Sequence, residues 1–176
     1  SKDSQYRFCY ADKPFLSKDG MLATYDNWRD ITQWPEVPGA VKLRDRSIKK
    51  QGNPLEKKGI VGAFCKTYTV EQAMDAFLGG IYEPCDMHPG RYTYTEGSTV
   101  GGAVLYEDGL FLYSHHATDP AGGRLCNAFD LVRIHKFYEL DYGSKEGTPI
   151  TRLPSFSAMC EFAMEQPNVA KVITAE

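Results

Sequence analysis

The residues "LYSHHATDPAGG", 112–123, carry the side chains of this chain that are best suited to chemistry. Two adjacent histidines and an aspartate can bind a metal ion, or they can move protons in catalysis. The same letters are also typical of a strand that ends in a tight turn, because Asp119 precedes a proline and two glycines follow. The segment is therefore either a reactive centre or a structural corner.

A shared metal ion is the less favoured interpretation of this segment. Its candidate ligands are Cys85, His88, His115, His116 and Cys126. Adjacent residues of a strand point to opposite faces, so His115 and His116 cannot easily bind one ion. Structural zinc sites use paired ligands, and the pairs here are incomplete. We predict no metal, one histidine packed inward, and the other facing solvent or bonding the loop.

Asp119 is predicted to bond the backbone two residues further on, as aspartate does in such turns. Losing that one bond on substitution by alanine would cost about 1 kcal/mol.

Composition and charge exclude several classes of protein. The 176 residues are 42% hydrophobic and 24% charged, as in a soluble globular domain, and no apolar run could cross a bilayer. Five scattered cysteines form no disulfide framework, so we expect the bacterial cytoplasm and no membrane partner. A predicted strand lies as early as residues 6–10, which suggests an excerpt of a longer protein.

The net charge of −3 argues against binding nucleic acid with the whole surface. The segment from Lys42 to Lys58, however, contains seven Lys or Arg and only two acidic residues, Asp45 and Glu56, a local charge excess of 7 − 2 = +5. This stretch is either an ordinary solvated surface or a phosphate-contacting segment. Aromatic residues near Arg91, such as Tyr113, could stack bases or simply pack the strands.

Catalytic motifs do not stand out in the chain. "GGIYEP" and "STVGGA" lack the lysine of a phosphate loop, and no serine sits in a nucleophile elbow. No predicted hydrophobic strand of this sequence ends in a pair of carboxylates that could hold two metal ions. We therefore expect no catalytic residues and no cofactor, with a phosphotransfer or nuclease site around His115, His116 and Asp119 as the enzymatic alternative.

The first half of the chain is predicted to be helical. Ser17 can cap a helix that runs to about Arg29. "NPLE" at Asn53 is a helix start, and "TVEQ" at Thr69 is a capping box before a second helix that ends at Gly79 and Gly80. Together these two helices predict a hairpin with a shared apolar seam.

The second half predicts strands and then helices. "RYTYT" alternates, and "GAVLY" and "LFLYS" flank Asp108-Gly109, which is a β-hairpin signal. "RLCNAFDLVRIHKF" predicts a helix buried on two sides, "GSKEGTPITRLP" a loop, and Ser155 the start of a last helix. The fold class is thus α+β, a helical hairpin followed by a small antiparallel sheet with packed helices.

Two segments, "NPLEKKGIVGAFCKTYTVEQAMDAFL" and "YSHHATDPAGGRLCNAFDLVRIHKF", resemble phage and prophage replication proteins of the virulence-associated protein E-like family. The resemblance covers about Asp12 to Met159. It implies a primase–helicase fusion, of which this chain is the region between the primase-polymerase and helicase domains. The second segment is similar in layout to the zinc ribbon of bacterial-type primases, but the cysteine pairs of such a ribbon are absent.

The resemblance implies a domain organisation and a role. Residues 1–52 would end the upstream domain and carry a basic linker, 53–82 would be a helical primase C-terminal-like module, and 83–176 would be a small α+β domain. The role would be a nucleic-acid-binding accessory module without its own catalytic centre, acting on single-stranded DNA or primer-template. Its other partners would be the flanking primase and helicase domains, and a structural linker or oligomerisation domain is the alternative. The predicted contact residues are Lys42, Arg44, Arg46, Lys49, Lys50, Arg91, Tyr113, His115, His116 and Arg124.

Overall fold

An antiparallel sheet with helices packed on one of its faces forms the fold in the computed structural model. The structure describes residues 17–30, 33–34, 48–86 and 88–175. The strands follow one another in the sheet in chain order: β1 Tyr82–Pro84, β2 Arg91–Tyr94, β3 Ala103–Tyr106, β4 Phe111–Ser114 and β5 Leu125–Cys126. The predicted α+β class is confirmed.

The hairpin between β3 and β4 forms where the sequence predicts it. Glu107, Asp108 and Gly109 all have positive φ (51°, 53° and 83°), a conformation that suits Asp-Gly in tight turns. The turn fixes the register, which places Val104 opposite Tyr113 and Leu105 opposite Leu112.

The register gives the sheet two distinct faces, since residues directly opposite each other share a face. Tyr82 and Tyr94 are paired on the core face, which also carries Leu112. Arg91, Val104 and Tyr113 form a row on the outer face. The helices are α1 Lys18–Leu22, α2 Gly59–Thr67, α3 Val70–Phe77, α4 Ala128–Phe137, α5 Pro154–Met164 and α6 Pro167–Ala175.

Helix α1 starts as predicted but is much shorter. The Ser17 hydroxyl accepts a hydrogen bond from the Gly20 amide at 3.0 Å, so the cap is confirmed. The prediction that the helix reaches Arg29 is wrong, because it ends at Leu22. Asn27 instead accepts from the amide of Arg29 at 3.1 Å, a local bond that competes with helix formation.

Asn53 caps a 3₁₀ helix, Pro54–Glu56, and not α2 itself. The chain turns again at Gly59, the first residue of α2, whose φ is +69°. The capping box of α3 is confirmed, with the Thr69 hydroxyl accepting from the Gln72 amide and the Gln72 side chain accepting from the Thr69 amide.

The two helices of the predicted hairpin meet through aromatic rings, but each packs more extensively on another helix, α2 on α6 and α3 on α4. Phe64 of α2 and Phe77 of α3 lie 5.8 Å apart between ring centroids. Phe129 of α4 and Phe162 of α5 pack against these two rings. Residues from both sides of the predicted boundary at residue 82 belong to one hydrophobic cluster.

Two details of the C-terminal helices differ from the prediction. Leu125 and Cys126 belong to β5, and α4 begins only after Asn127, whose side chain accepts from the Asp130 amide. Helix α4 is buried on two sides, as predicted. A further helix, α6, follows α5, so the helix near Ser155 is not the last; the signal for α6 was Pro167 in its first turn.

Candidate nucleic-acid interface and the buried corner

The two histidines of the corner point to opposite sides, as predicted. His115 is exposed, whereas His116 is 3% exposed. His116 therefore cannot line a surface, and its assignment as a nucleic-acid contact is wrong. A strand that ends at Ser114 with one face on the core is sufficient to explain the difference.

The His116 ring has a partner at each nitrogen and a glycine on each side. Its Nε2 accepts from the Tyr94 amide at 3.3 Å, and its Nδ1 lies 2.9 Å from the Thr99 hydroxyl. A Cβ at Gly97 would lie 2.9 Å from Nδ1, and one at Gly102 would lie 2.6 Å from Nε2. The ring therefore fills a space that only glycines leave open, and it is held as the neutral Nδ1–H form.

Asp119 forms more bonds than the predicted turn bond. Its Oδ1 accepts from the Ala121 amide at 2.7 Å, which confirms the turn. Its Oδ2 accepts from the Tyr82 hydroxyl at 2.7 Å, and His135 Nε2 lies 3.3 Å from Oδ1 and 2.8 Å from the Tyr82 hydroxyl. Asp119 thus joins the corner to β1 and to α4.

The electrostatics of Asp119 follow from these bonds. Burial acts to raise the pKa of the carboxyl group, but hydrogen bonds from His135, Ser114, Tyr82 and the Ala121 amide outweigh it and lower the pKa. Burial and the neighbouring Asp119 raise the pKa of Tyr82, so the phenol remains protonated and donates. The Asp119 carboxylate is thus a buried negative charge that is held by several hydrogen bonds.

The corner is predicted to weaken in acid. Burial lowers the pKa of His116 below its usual 6.5, although the Asp119 charge acts in the opposite direction. As the pH falls below about 6.5, His116 becomes protonated in the unfolded chain while it stays neutral in the folded chain. The contribution of His116 to the free energy of unfolding is therefore complete above about pH 6.5 and decreases as the pH falls toward the folded pKa. Denaturant unfolding at a series of pH values should show a smaller free energy of unfolding at pH 5 than at pH 7.5.

His116→Gln provides the matched test, because the glutamine oxygen can accept from the Tyr94 amide and does not titrate. Its unfolding free energy should vary less between these pH values than that of the wild type. Because burial and Arg91 lower the pKa of His115 as well, His115→Gln should also reduce the variation, and the double variant should vary less than either single variant. Equal pH dependence in the wild type and in His116→Gln would contradict the assignment.

The buried positions of these groups leave them without access to a substrate. Ser114, His116 and Asp119 are each at most 5% exposed. None of them lines the surface cleft at Lys50 and Arg124 that is described below. Within the described residues, no three histidine, cysteine, aspartate or glutamate side chains cluster in a way that could hold a metal ion. The arrangement serves to fix the corner to the sheet and to α4.

The predicted residues on the outer face of the sheet do come together. Arg91 and Tyr113 share a row across Val104, and the Tyr113 and His115 rings lie 4.7 Å apart. Partial burial and the Arg91 charge lower the pKa of His115. Arg91 also donates to the Gly101 carbonyl at 3.2 Å, which fixes its direction. This outer-face cluster of Arg91, Tyr113 and His115 combines a cation with two rings.

A separate cleft of about 740 Å³ brings Lys50 and Arg124 together, although 74 positions separate them in the sequence. The Gln51 side chain donates to the Leu125 carbonyl, which holds the basic segment against β5. Lys145, from the loop after α4, also lines the cleft. These three exposed side chains, Lys50, Arg124 and Lys145, make it a cationic cleft.

The acidic groups of the cleft are paired with an internal arginine. Arg133 lies 3.4 Å from Asp130 and 3.8 Å from Asp141. The cleft lining then contains four cations and two carboxylates, a balance of 4 − 2 = +2. A positively charged groove of this kind attracts phosphate groups.

The remaining predicted contacts are placed less completely. Lys49 is exposed beside Lys50 in a helical turn at residues 48–51. Lys42, Arg44 and Arg46 lie outside the described residues, as does the strand predicted at residues 6–10. Sequence reasoning missed Lys145, which lies in a segment predicted only as a loop, and Tyr138, which lies between the predicted helix and that loop.

Comparison with known proteins gives a match to a family model. Residues 1–37 match the family model of the VapE N-terminal domain. The match supports a VapE-like protein and lies entirely ahead of the two segments that carried the resemblance. No curated protein and no solved structure matches the chain. In the part of the chain that the structure describes, no helix has the length and apolar character to cross a bilayer.

Proposed function

We propose that this chain is a nucleic-acid-binding accessory module of a VapE-like replication primase–helicase, located between the primase-polymerase and helicase domains. It holds single-stranded DNA or primer-template in the bacterial cytoplasm and has no catalytic centre of its own. The match over residues 1–37 supports the replication-associated family. The binding role rests on the described surface.

The observation that carries the proposal is the cationic cleft. Lys50 and Arg124 come from distant segments, and Lys145 adds a third exposed cation. Arg133 neutralises part of the acidic lining, so the exposed cations are available to phosphate groups. The basic stretch from Lys42 to Lys58 passes through this cleft at Lys50, which explains how a chain of net charge −3 can bind a polyanion locally.

Charge reversal at Lys49 and Lys50 tests the binding role. Lys49→Glu with Lys50→Glu should weaken the binding of a fluorescein-labelled oligo-dT, measured by fluorescence polarisation at several salt concentrations. The slope of log K against log[salt] should become shallower by about 0.7 for each phosphate that the variant no longer neutralises, the value for single strands.

The matched control makes the same charge change on exposed lysines that do not line the cleft. Lys18→Glu with Lys171→Glu alters the net charge equally but leaves every proposed phosphate-binding side chain in place. Equal decreases in affinity for both double variants would show only a net-charge effect. If the Lys49 and Lys50 variant binds with unchanged affinity and slope, the binding role is wrong.

The structural linker or oligomerisation domain is the second candidate. Leu140, Ile150 and Met164 are each at least 50% exposed, and such side chains also suit contacts between proteins. This candidate predicts no binding of oligo-dT at low salt together with a molecular mass, measured by light scattering, that rises with protein concentration.

A further inference from the structure

We propose that Tyr138 and Tyr142 form a base-stacking platform at the cationic cleft, which makes unstacked single strands the preferred ligand. The proposal rests on the proposed function, because it names the ligand class of the same cleft. Neither tyrosine belongs to the contacts predicted from the sequence.

Both rings expose part of their surface to solvent, and Tyr142 exposes far more than Tyr138. Tyr142 is 69% exposed and Tyr138 38% exposed. Their ring centroids lie 5.2 Å apart at an interplanar angle of 73°, and their hydroxyl groups are hydrogen-bonded to each other. Each ring therefore fixes the other while leaving aromatic surface open to solvent.

The backbone under the platform is anchored to the core. Asp141, between the two tyrosines, accepts from the Ser155 amide at 2.8 Å and from the Ser155 hydroxyl at 2.7 Å. Arg133, which is 4% exposed, lies 3.8 Å from the same carboxylate and donates to the Ser155 hydroxyl at 2.8 Å. The 3₁₀ helix Tyr138–Asp141 is thus held in place before any ligand binds, which lowers the entropic cost of binding.

The position of the platform decides the kind of ligand. Tyr138 and Ile150 line the cleft beside Lys50, Arg124 and Lys145. Tyr142 lies outside this lining and adjoins the cleft through its ring contact with Tyr138. Aromatic rings next to cations are the combination that binds single strands, since the rings stack bases and the cations contact phosphates. Bases inside a duplex are already stacked on each other, so a duplex would use the cations but not the rings.

Acidic residues near the platform do not reverse the net positive charge of the cleft lining. Glu139 and Glu146 are exposed on the same segment but do not line the cleft. The lining of the cleft itself remains net positive. Charge complementarity therefore favours a nucleic acid strand over an acidic or purely apolar protein surface.

The test compares Tyr142→Ala with Tyr142→Phe on the whole chain. Tyr142 is so exposed that alanine should leave the fold intact, which circular dichroism and thermal melting can check. Alanine should weaken oligo-dT binding by about 5- to 150-fold, equivalent to 1–3 kcal/mol for one stacked base. Phenylalanine keeps the ring and should bind within about twofold of the wild type, by the same reasoning that stacking uses the ring face.

Two further readouts separate stacking from phosphate binding. The salt slope of Tyr142→Ala should equal that of the wild type, because every cation is retained. Affinity for a duplex of equal length should not change in this variant.

The outcomes distinguish the two proposals. If the wild type binds oligo-dT and Tyr142→Ala binds equally well, the platform is wrong while the binding role stands. Equal decreases in affinity for single strand and duplex would also overturn the platform. If the wild type binds no nucleic acid, both proposals fail. Self-association that Tyr142→Ala abolishes, without any effect on oligo-dT binding, would assign the patch to a protein contact instead.

Discussion

Replacing Asp119 by alanine should lower the free energy of unfolding by about 4 kcal/mol, far more than the loss of one turn bond. The substitution removes the acceptor of the Ala121 amide and also the acceptor of the Tyr82 hydroxyl. Tyr82 and His135 would then be left buried with fewer partners. Urea unfolding followed by circular dichroism should show a lower midpoint with an unchanged slope.

Two milder variants apportion this decrease in stability. Asp119→Asn keeps an oxygen for the Ala121 amide, and Tyr82→Phe removes only the phenol hydroxyl. Each should destabilise by less than Asp119→Ala, roughly 1–3 kcal/mol for a missing or mismatched buried bond. A decrease of only about 1 kcal/mol in Asp119→Ala would mean that the turn bond alone matters and that the bonds with β1 and α4 contribute little.

Local signals in the sequence predicted the parts of the fold that local bonds determine. The Thr69 capping box, the Asp108-Gly109 hairpin and the opposed His115 and His116 all depend on residues within a few positions of each other. The same signals failed on helix lengths. Nothing near Arg29 forces the chain to continue as a helix, and Asn27 offers its own backbone bond instead.

Long-range partners could not be predicted in the same way. Tyr82 and His135 lie 37 and 16 positions from Asp119, on a strand and on a helix whose meeting depends on the packing of the whole sheet. The composition of "IHKF" marks His135 only as a polar residue within an apolar helix. Helix α6 was not predicted for a related reason. Its apolar pattern is short, and the helix is stabilised by packing on α2, which lies far away in the sequence.

The candidate interface was predicted by charge but not by shape. Lys50 and Arg124 were chosen as cations, and the structure places both on one cleft. Tyr138 and Lys145 were missed because the 3₁₀ helix and loop that carry them are positioned by Asp141, through its bonds with Ser155 and Arg133. These bonds connect three separate elements, which no single stretch of sequence reveals.

Gly122→Ala should destabilise the corner by about 3 kcal/mol or more, because the added methyl group has no room. Its Cβ would lie 2.3 Å from the His116 carbonyl oxygen and 2.8 Å from that of Asp119, and both are backbone atoms that cannot rotate away. Gly123→Ala is the neighbouring control: it meets no atom within 4 Å, but its φ of +71° should cost about 1–2 kcal/mol. Urea midpoints should therefore fall much further for the first variant than for the second. If the two variants are destabilised equally, backbone conformation and not close packing at Gly122 limits the corner.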